Sequence, residues 1–186
     1  MPRYDLVLFD LDGTLIDSAP DLGLAVNRAL AERDLPSQEV PAVRRMIGEG
    51  QRVLIERAVR TTMTQRDGRE PDGDTVAALA DLVLPRFRLH YSEHLVETTR
   101  PYPTVEDTLA RLPAALPRGV ATNKPGVWAR RIADELGLSA HLGGPAWILG
   151  EDDIGRRKPD PALLLLLCER AAVAPARALY VGDSLI

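Results

Sequence analysis

The stretch VLFDLDGT, residues 7–14, is an apolar run that ends in two carboxylates, Asp10 and Asp12, and closes on the turn pair Asp12 and Gly13. Side chains at i and i+2 of a strand share a face, so the two acids are expected to be neighbours in a partly buried place. Like charges held that close in a low dielectric cannot both stay ionised unless a proton or a cation relieves them. Residues 5–10 therefore read as a short, fully buried strand with chemistry at its carboxyl end.

Over residues 16–97 the periodicity is helical. Leu22, Val26, Ala29 and Leu30 form one apolar stripe, and Val76, Leu79, Ala80, Val83, Phe87 and Tyr91 form another, with Pro85 expected to kink the second helix. Between them MIGEG, residues 46–50, reads as a glycine-bearing loop leading into a helix, and TQRDGREPDGD, residues 64–74, as a loop. After Arg100 the sequence PYP marks a boundary. Strands are expected at 119–122, 146–149 and 178–181, and helices at 126–136 and 161–172. Strands alternating with helices imply an α/β fold with a doubly wound parallel sheet. The expected organisation is a core of residues 1–15 and 98–186, interrupted after its first strand by a helical domain, residues 16–97.

Composition narrows the function. The chain has 186 residues, 45% of them hydrophobic, and a formal charge of -4 built from interspersed acids and bases. That balance carries no nucleic-acid footprint. No run approaches the ~20 apolar residues of a membrane span, and the N-terminus lacks the pattern of a signal peptide. A cytoplasmic protein with a small-molecule substrate, as a monomer or homodimer, is expected. The single cysteine, Cys168, sits in ALLLLLCERA and reads as a small buried hydrophobe. Of the 23 Lys and Arg residues only Lys124 and Lys158 are lysine, which suggests two positions needing a compact ammonium.

Ligands of an open parallel sheet bind at the carboxyl ends of its strands. The polar residues just past the expected strands are Asp10 and Asp12, then Thr122, Asn123 and Lys124, then Lys158 further along a loop, and last Asp183 and Ser184. The carboxylates Asp10 and Asp183 suit a hard, oxygen-seeking cation such as Mg2+, and Thr122, Asn123 and Lys158 are donors suited to phosphate oxygens. The combination points to phosphoryl transfer, where positioning and charge neutralisation do most of the catalysis.

The motifs FDLDGTLID, VATNK, RRKPDP and YVGDS, in that order and with a helical insertion after the first, resemble the haloacid dehalogenase superfamily of phosphatases; MIGEG, VLIERA and TNKP bring the likeness nearest to its bacterial phosphoglycolate phosphatases. The resemblance implies Mg2+-dependent hydrolysis of a phosphomonoester, most closely 2-phosphoglycolate in carbohydrate metabolism, through an aspartyl-phosphate. It implies that Asp10 is the nucleophile and Asp12 the general acid and base. Thr122 and Asn123 would bind the phosphoryl group, with Lys124 beside them, and Lys158 would neutralise both it and the nucleophile. Asp10, the Asp12 carbonyl and Asp183 would hold the metal. The helical insertion would be a cap, and a second substrate anion would meet Arg52, with Arg45 behind it.

Rival readings are a β-phosphoglucomutase-like phosphomutase or another small sugar-phosphate phosphatase. A zinc peptidase is the remote rival, because His90, Glu93 and His94 spell H-x-x-E-H. The family pattern also places a further aspartate one position past Ile186, then a helix and a strand, and has a longer connection at 109–123. The chain is therefore expected to be a C-terminally shortened form, destabilised and weakly active.

Overall fold

The structure, a computed structural model, describes residues 4–184. In chain order its elements are β1 (Leu6–Phe9), β2 (Ile16–Asp17), α1 (Ala19–Ala31), α2 (Val40–Arg44), α3 (Gln51–Asp67), α4 (Gly73–Glu93) and β3 (Arg100–Pro101). There follow α5 (Val105–Arg111), β4 (Arg118–Ala121), α6 (Gly126–Glu135), β5 (Ile148–Leu149), α7 (Glu151–Ile154), α8 (Ala162–Arg170) and β6 (Ala178–Val181). They divide into two compact units, Met1–Asp17 with Arg100–Ile186, and Ser18–Thr99. Each division lies two residues beyond the one expected from the sequence.

The first unit is built on a four-stranded parallel sheet in the order β5-β4-β1-β6. β1 is buried at every residue, as its unbroken apolar run requires of a strand covered on both faces. Leu6 and Leu8 pack with Ala121, Leu149, Leu163, Leu167 and Cys168, so the lone cysteine is core, and burial pushes its thiol upward. Gly119 is needed in β4 because a Cβ there would lie 2.6 Å from the Trp147 carbonyl oxygen. β6 pairs with β1 and, among the described residues, forms the sheet's edge; its residues are half-buried to exposed. The position past Ile186, on which the expectation of a shortened domain rests, lies outside the described residues.

Three local departures from the sequence reading have physical causes. The strand expected over 146–149 is reduced to Ile148–Leu149, because Pro145–Trp147 forms a 3-10 turn after two glycines of positive φ. The loop expected from residue 64 begins at Gly68: Thr64 bonds back to the Arg60 carbonyl, and α3 runs on until Gly68, at φ 68°, supplies its left-handed cap. The two-residue strands β2 and β3, too short to carry a periodic signal, pair antiparallel.

The helical unit packs α1 against α4 and α4 against α3. Val26, Ala29, Leu30, Val83, Phe87 and Tyr91 are fully buried there, the last two rings stacked at 5.7 Å. Asp72 caps α4 by accepting from the Thr75 amide at 2.9 Å, and the helix runs through Pro85 without interruption. Asp21, 1% exposed, accepts from the amides and hydroxyls of both Thr98 and Thr99, so it ties the unit's first helix to its last residues. Among the described residues no helix is long and apolar enough to cross a membrane.

Candidate active site

The polar residues at the carboxyl ends of β1, β4 and β6 are held in place chiefly by backbone. The Asp10 amide continues the ladder to the Val181 carbonyl at 2.8 Å, and the Thr122 amide does the same to Leu149 at 3.0 Å. Strand geometry thus carries two residues into the site. At Gly13 the chain turns with φ 83°, and the Asp183 carboxylate occupies the space a Cβ would need. Only glycine serves there, on both counts.

The opening pair of acids is resolved by the two lysines. Lys158 places Nζ 2.6 Å from Asp10 Oδ2, and Lys124 places Nζ 3.3 Å from Asp12 Oδ1. Each aspartate has its own ammonium: Lys158 stands at the nucleophile position as the resemblance implies, while Lys124 meets Asp12, where only a metal ion was expected to relieve the pair. Asp10 also accepts the Leu11 amide on Oδ1 at 2.8 Å. Burial raises the Asp10 carboxyl above its ordinary value, and the Lys158 charge and the Leu11 amide pull against that rise.

Lys158 is itself held at both ends. Asn123 donates through Nδ2 to the Lys158 carbonyl at 3.1 Å and accepts its amide on Oδ1 at 2.7 Å, a two-way clamp on the backbone. At the other end Tyr180 donates its hydroxyl hydrogen to the Ala121 carbonyl at 3.2 Å, which turns its oxygen into an acceptor for Lys158 Nζ at 2.6 Å. The ammonium also lies 5.3 Å from the Tyr180 ring centre. Arg156 and Arg157, the preceding residues of RRKPDP, are exposed, so Lys158 alone of that basic run turns inward. Asn123, expected as a phosphate ligand, therefore also positions a cation. Tyr180 escaped the sequence reading; its only trace was an aromatic residue in a strand that ends at the site.

Thr122 accepts the Lys124 amide on Oγ1 at 3.2 Å and has a hydroxyl hydrogen to offer a ligand. Asp183 is exposed and accepts a long 3.4 Å hydrogen bond from Thr14. Among the described residues no group of three or more His, Cys, Asp or Glu is arranged to hold a metal. The donors expected for one here number two carboxylates, Asp10 and Asp183, and the Asp12 carbonyl. They belong to neighbouring chain segments: a Cβ on Gly182 would lie 3.8 Å from the Asp10 Cβ, and Asp183 fills the cleft at Gly13. An all-oxygen set of that kind fits a hard divalent cation and not a zinc-type ion.

Two expected groups lie in the helical unit. Arg52, at the start of α3, bonds Glu56, Asp81 and the Ala77 carbonyl, while Arg45 is exposed at the end of α2. The H-x-x-E-H residues do not form a chelate. His90 Nε2 meets Glu32 at 2.7 Å, whereas His94 has left the helix, at φ -133° and ψ 50°, and bonds Glu97. The peptidase reading assumed two histidines on one continuous helical face, and α4 ends between them.

Comparison with known proteins agrees with the geometry. The model of the haloacid dehalogenase-like hydrolases matches residues 4–186. A phosphoglycolate phosphatase of Shigella boydii is 40% identical over 187 residues, 96% of this chain and 73% of that protein. One of Pseudomonas putida is 40% identical over 185 residues, 99% of this chain and 63% of that protein. A predicted phosphoglycolate phosphatase from Haemophilus somnus superimposes with a TM-score of 0.83 at 34% identity, over 98% of this chain and 78% of its own. A hydrolase of the same family from Deinococcus radiodurans, solved with phosphate and sodium bound, gives 0.66 at 25% identity, over 98% and 73%. With paired aspartates after the first strand, lysines on both, and a family match over nearly its whole length, this chain belongs to the haloacid dehalogenase-like hydrolases.

Proposed function

We propose that the chain is a Mg2+-dependent phosphomonoester hydrolase that works through an aspartyl-phosphate on Asp10, with 2-phosphoglycolate as substrate. The observation that carries the reading is a buried carboxylate, Asp10, fixed by one ammonium and followed two residues later by a second carboxyl with an ammonium of its own. The Asp10 carboxylate attacks phosphorus; the ester P–O bond breaks, and its electron pair goes to the ester oxygen, which takes the proton of the Asp12 carboxyl. Water then attacks phosphorus and gives a proton to Asp12, and the bond to Asp10 breaks to release phosphate. Lys158 and the Leu11 amide favour the ionised nucleophile against the cost of its burial. Thr122 and Asn123 would donate to the phosphoryl oxygens. Mg2+, held by Asp10, the Asp12 carbonyl and Asp183, would add positive charge against those oxygens.

The test is phosphate release from a panel containing 2-phosphoglycolate and glucose phosphates, with and without Mg2+. Asp10→Asn is expected to lower turnover by roughly 10^4 or more. Turnover that survives Asp10→Asn removes the nucleophile assignment. Isomerisation of a glucose phosphate without net release of phosphate would replace the hydrolase with a mutase.

A further inference from the structure

Lys124 has a place more specific than the phosphate-binding role its motif suggests. Its loop is held on both sides: its amide bonds Thr122 Oγ1 at 3.2 Å, and its carbonyl accepts the Glu151 amide at 3.3 Å. Gly150 packs so closely on the Lys124 carbonyl and the Gly126 amide that a Cβ would collide with both. Asp152 takes the Gly126 amide at 2.6 Å, which closes the start of α6 over the same loop. From this fixed base the side chain, 4% exposed, ends on Asp12 Oδ1. Burying an ammonium is costly unless a partner meets it, and this chain, which uses arginine everywhere except at two positions, keeps lysine here. The other lysine stands in the same relation to Asp10.

We infer that Lys124 is a positioning residue for Asp12, anchoring one carboxyl oxygen so that the other is set to exchange a proton with the leaving group and then with water. The inference rests on the proposed reaction. An ammonium donates strongly to a carboxylate and more weakly to the carbonyl oxygen of a protonated carboxyl, so the anchor stays in place through both halves of the cycle. Its effect depends on the leaving group. An alkoxide needs the Asp12 proton as the ester bond breaks, whereas 4-nitrophenolate departs without it.

The experiment compares kcat/KM for 2-phosphoglycolate and for 4-nitrophenyl phosphate in the unaltered chain, Lys124→Met, Asp12→Asn and the double variant. Lys124→Met is expected to lose about 100-fold on the alkyl ester and less than about 5-fold on the aryl ester, the same bias as Asp12→Asn. The double variant should match Asp12→Asn to within about 3-fold, since both changes remove one function. Equal losses on the two esters, or losses that multiply in the double variant, would overturn the role and return Lys124 to phosphate binding. Lys124→Gln, which keeps a donor, serves if the methionine variant fails to fold, with the same two outcomes. If the unaltered chain releases phosphate from neither ester, the phosphatase reading itself falls, and the role of Lys124 with it.

Discussion

The end of the parallel sheet and the surface of the molecule treat charge in opposite ways. In the α/β unit the pairs Lys158–Asp10 and Lys124–Asp12 leave between 4% and 12% of their side chains exposed and join segments far apart in sequence. In the helical unit Arg52–Asp81, Arg60–Glu70 and Arg86–Glu32 lie at the surface, with 33% to 73% exposed. Exposed pairs contribute little to stability, and buried ones cost desolvation that their attraction only partly returns. A buried pair is therefore a poor device for stability, and two of them on adjacent acids point to chemistry. The choice of cation follows the same division. A guanidinium suits a solvated surface with several acceptors, whereas a compact ammonium can be enclosed beside one carboxylate.

The comparison breaks most sharply at the lysines. Lys158→Met leaves Asp10 buried without its ammonium, and phosphate release should fall by about 10^3 or more, whereas Arg60→Met should leave both release and melting temperature unmoved. A surface arginine with an effect like that of Lys158 would erase the distinction. The second place to press is the one acid the helical unit buries. Asp21 is held below its ordinary value although burial pushes the other way, because the hydroxyls and amides of Thr98 and Thr99 outweigh that burial. Asp21→Ala should cost about 2–4 kcal/mol of stability and speed hydrogen exchange at the Thr98 and Thr99 amides. Slow exchange retained at those amides would show that the clamp is not what orders them.

The smallest effect concerns pH. Arg86 and then His90 hold the Glu32 carboxyl down to about 2 from an ordinary 4.5. Because the folded value is depressed, this stabilisation is complete above pH 4.5 and is lost as pH falls toward 2. Glu32→Gln should flatten the dependence of melting temperature on pH across that window and leave the values below it unchanged, as an acid titration followed by circular dichroism would record. An unaltered slope would assign acid sensitivity to other carboxylates.

Much of this was legible in the residues themselves. The unbroken apolar run before Asp10 required a strand buried on both faces, and the alternation after Arg100 required parallel pairing, since both follow from local periodicity. The motif residues fall at strand ends for the same reason. The 3-10 turn at Pro145–Trp147 and the extension of α3 to Gly68 were hidden because cooperative helix growth and glycine conformation decide them locally against composition. The H-x-x-E-H match misled because a five-residue pattern says nothing of where a helix stops.

By itself the sequence determined the order of the sheet strands β1, β4, β5 and β6 and of the long helices, the place of the opening aspartates and the singling out of two lysines, because each depends on residue type and short-range spacing. Only the tertiary structure decided the rest of the pairing: that Lys124 meets Asp12, that Asn123 clamps the Lys158 backbone, and that Tyr180 turns its oxygen to the ammonium that meets Asp10. Those contacts bridge segments up to 148 residues apart, from Asp10 to Lys158, and they arise because the sheet order β5-β4-β1-β6 brings separate loops to one end. No local spacing encodes that register.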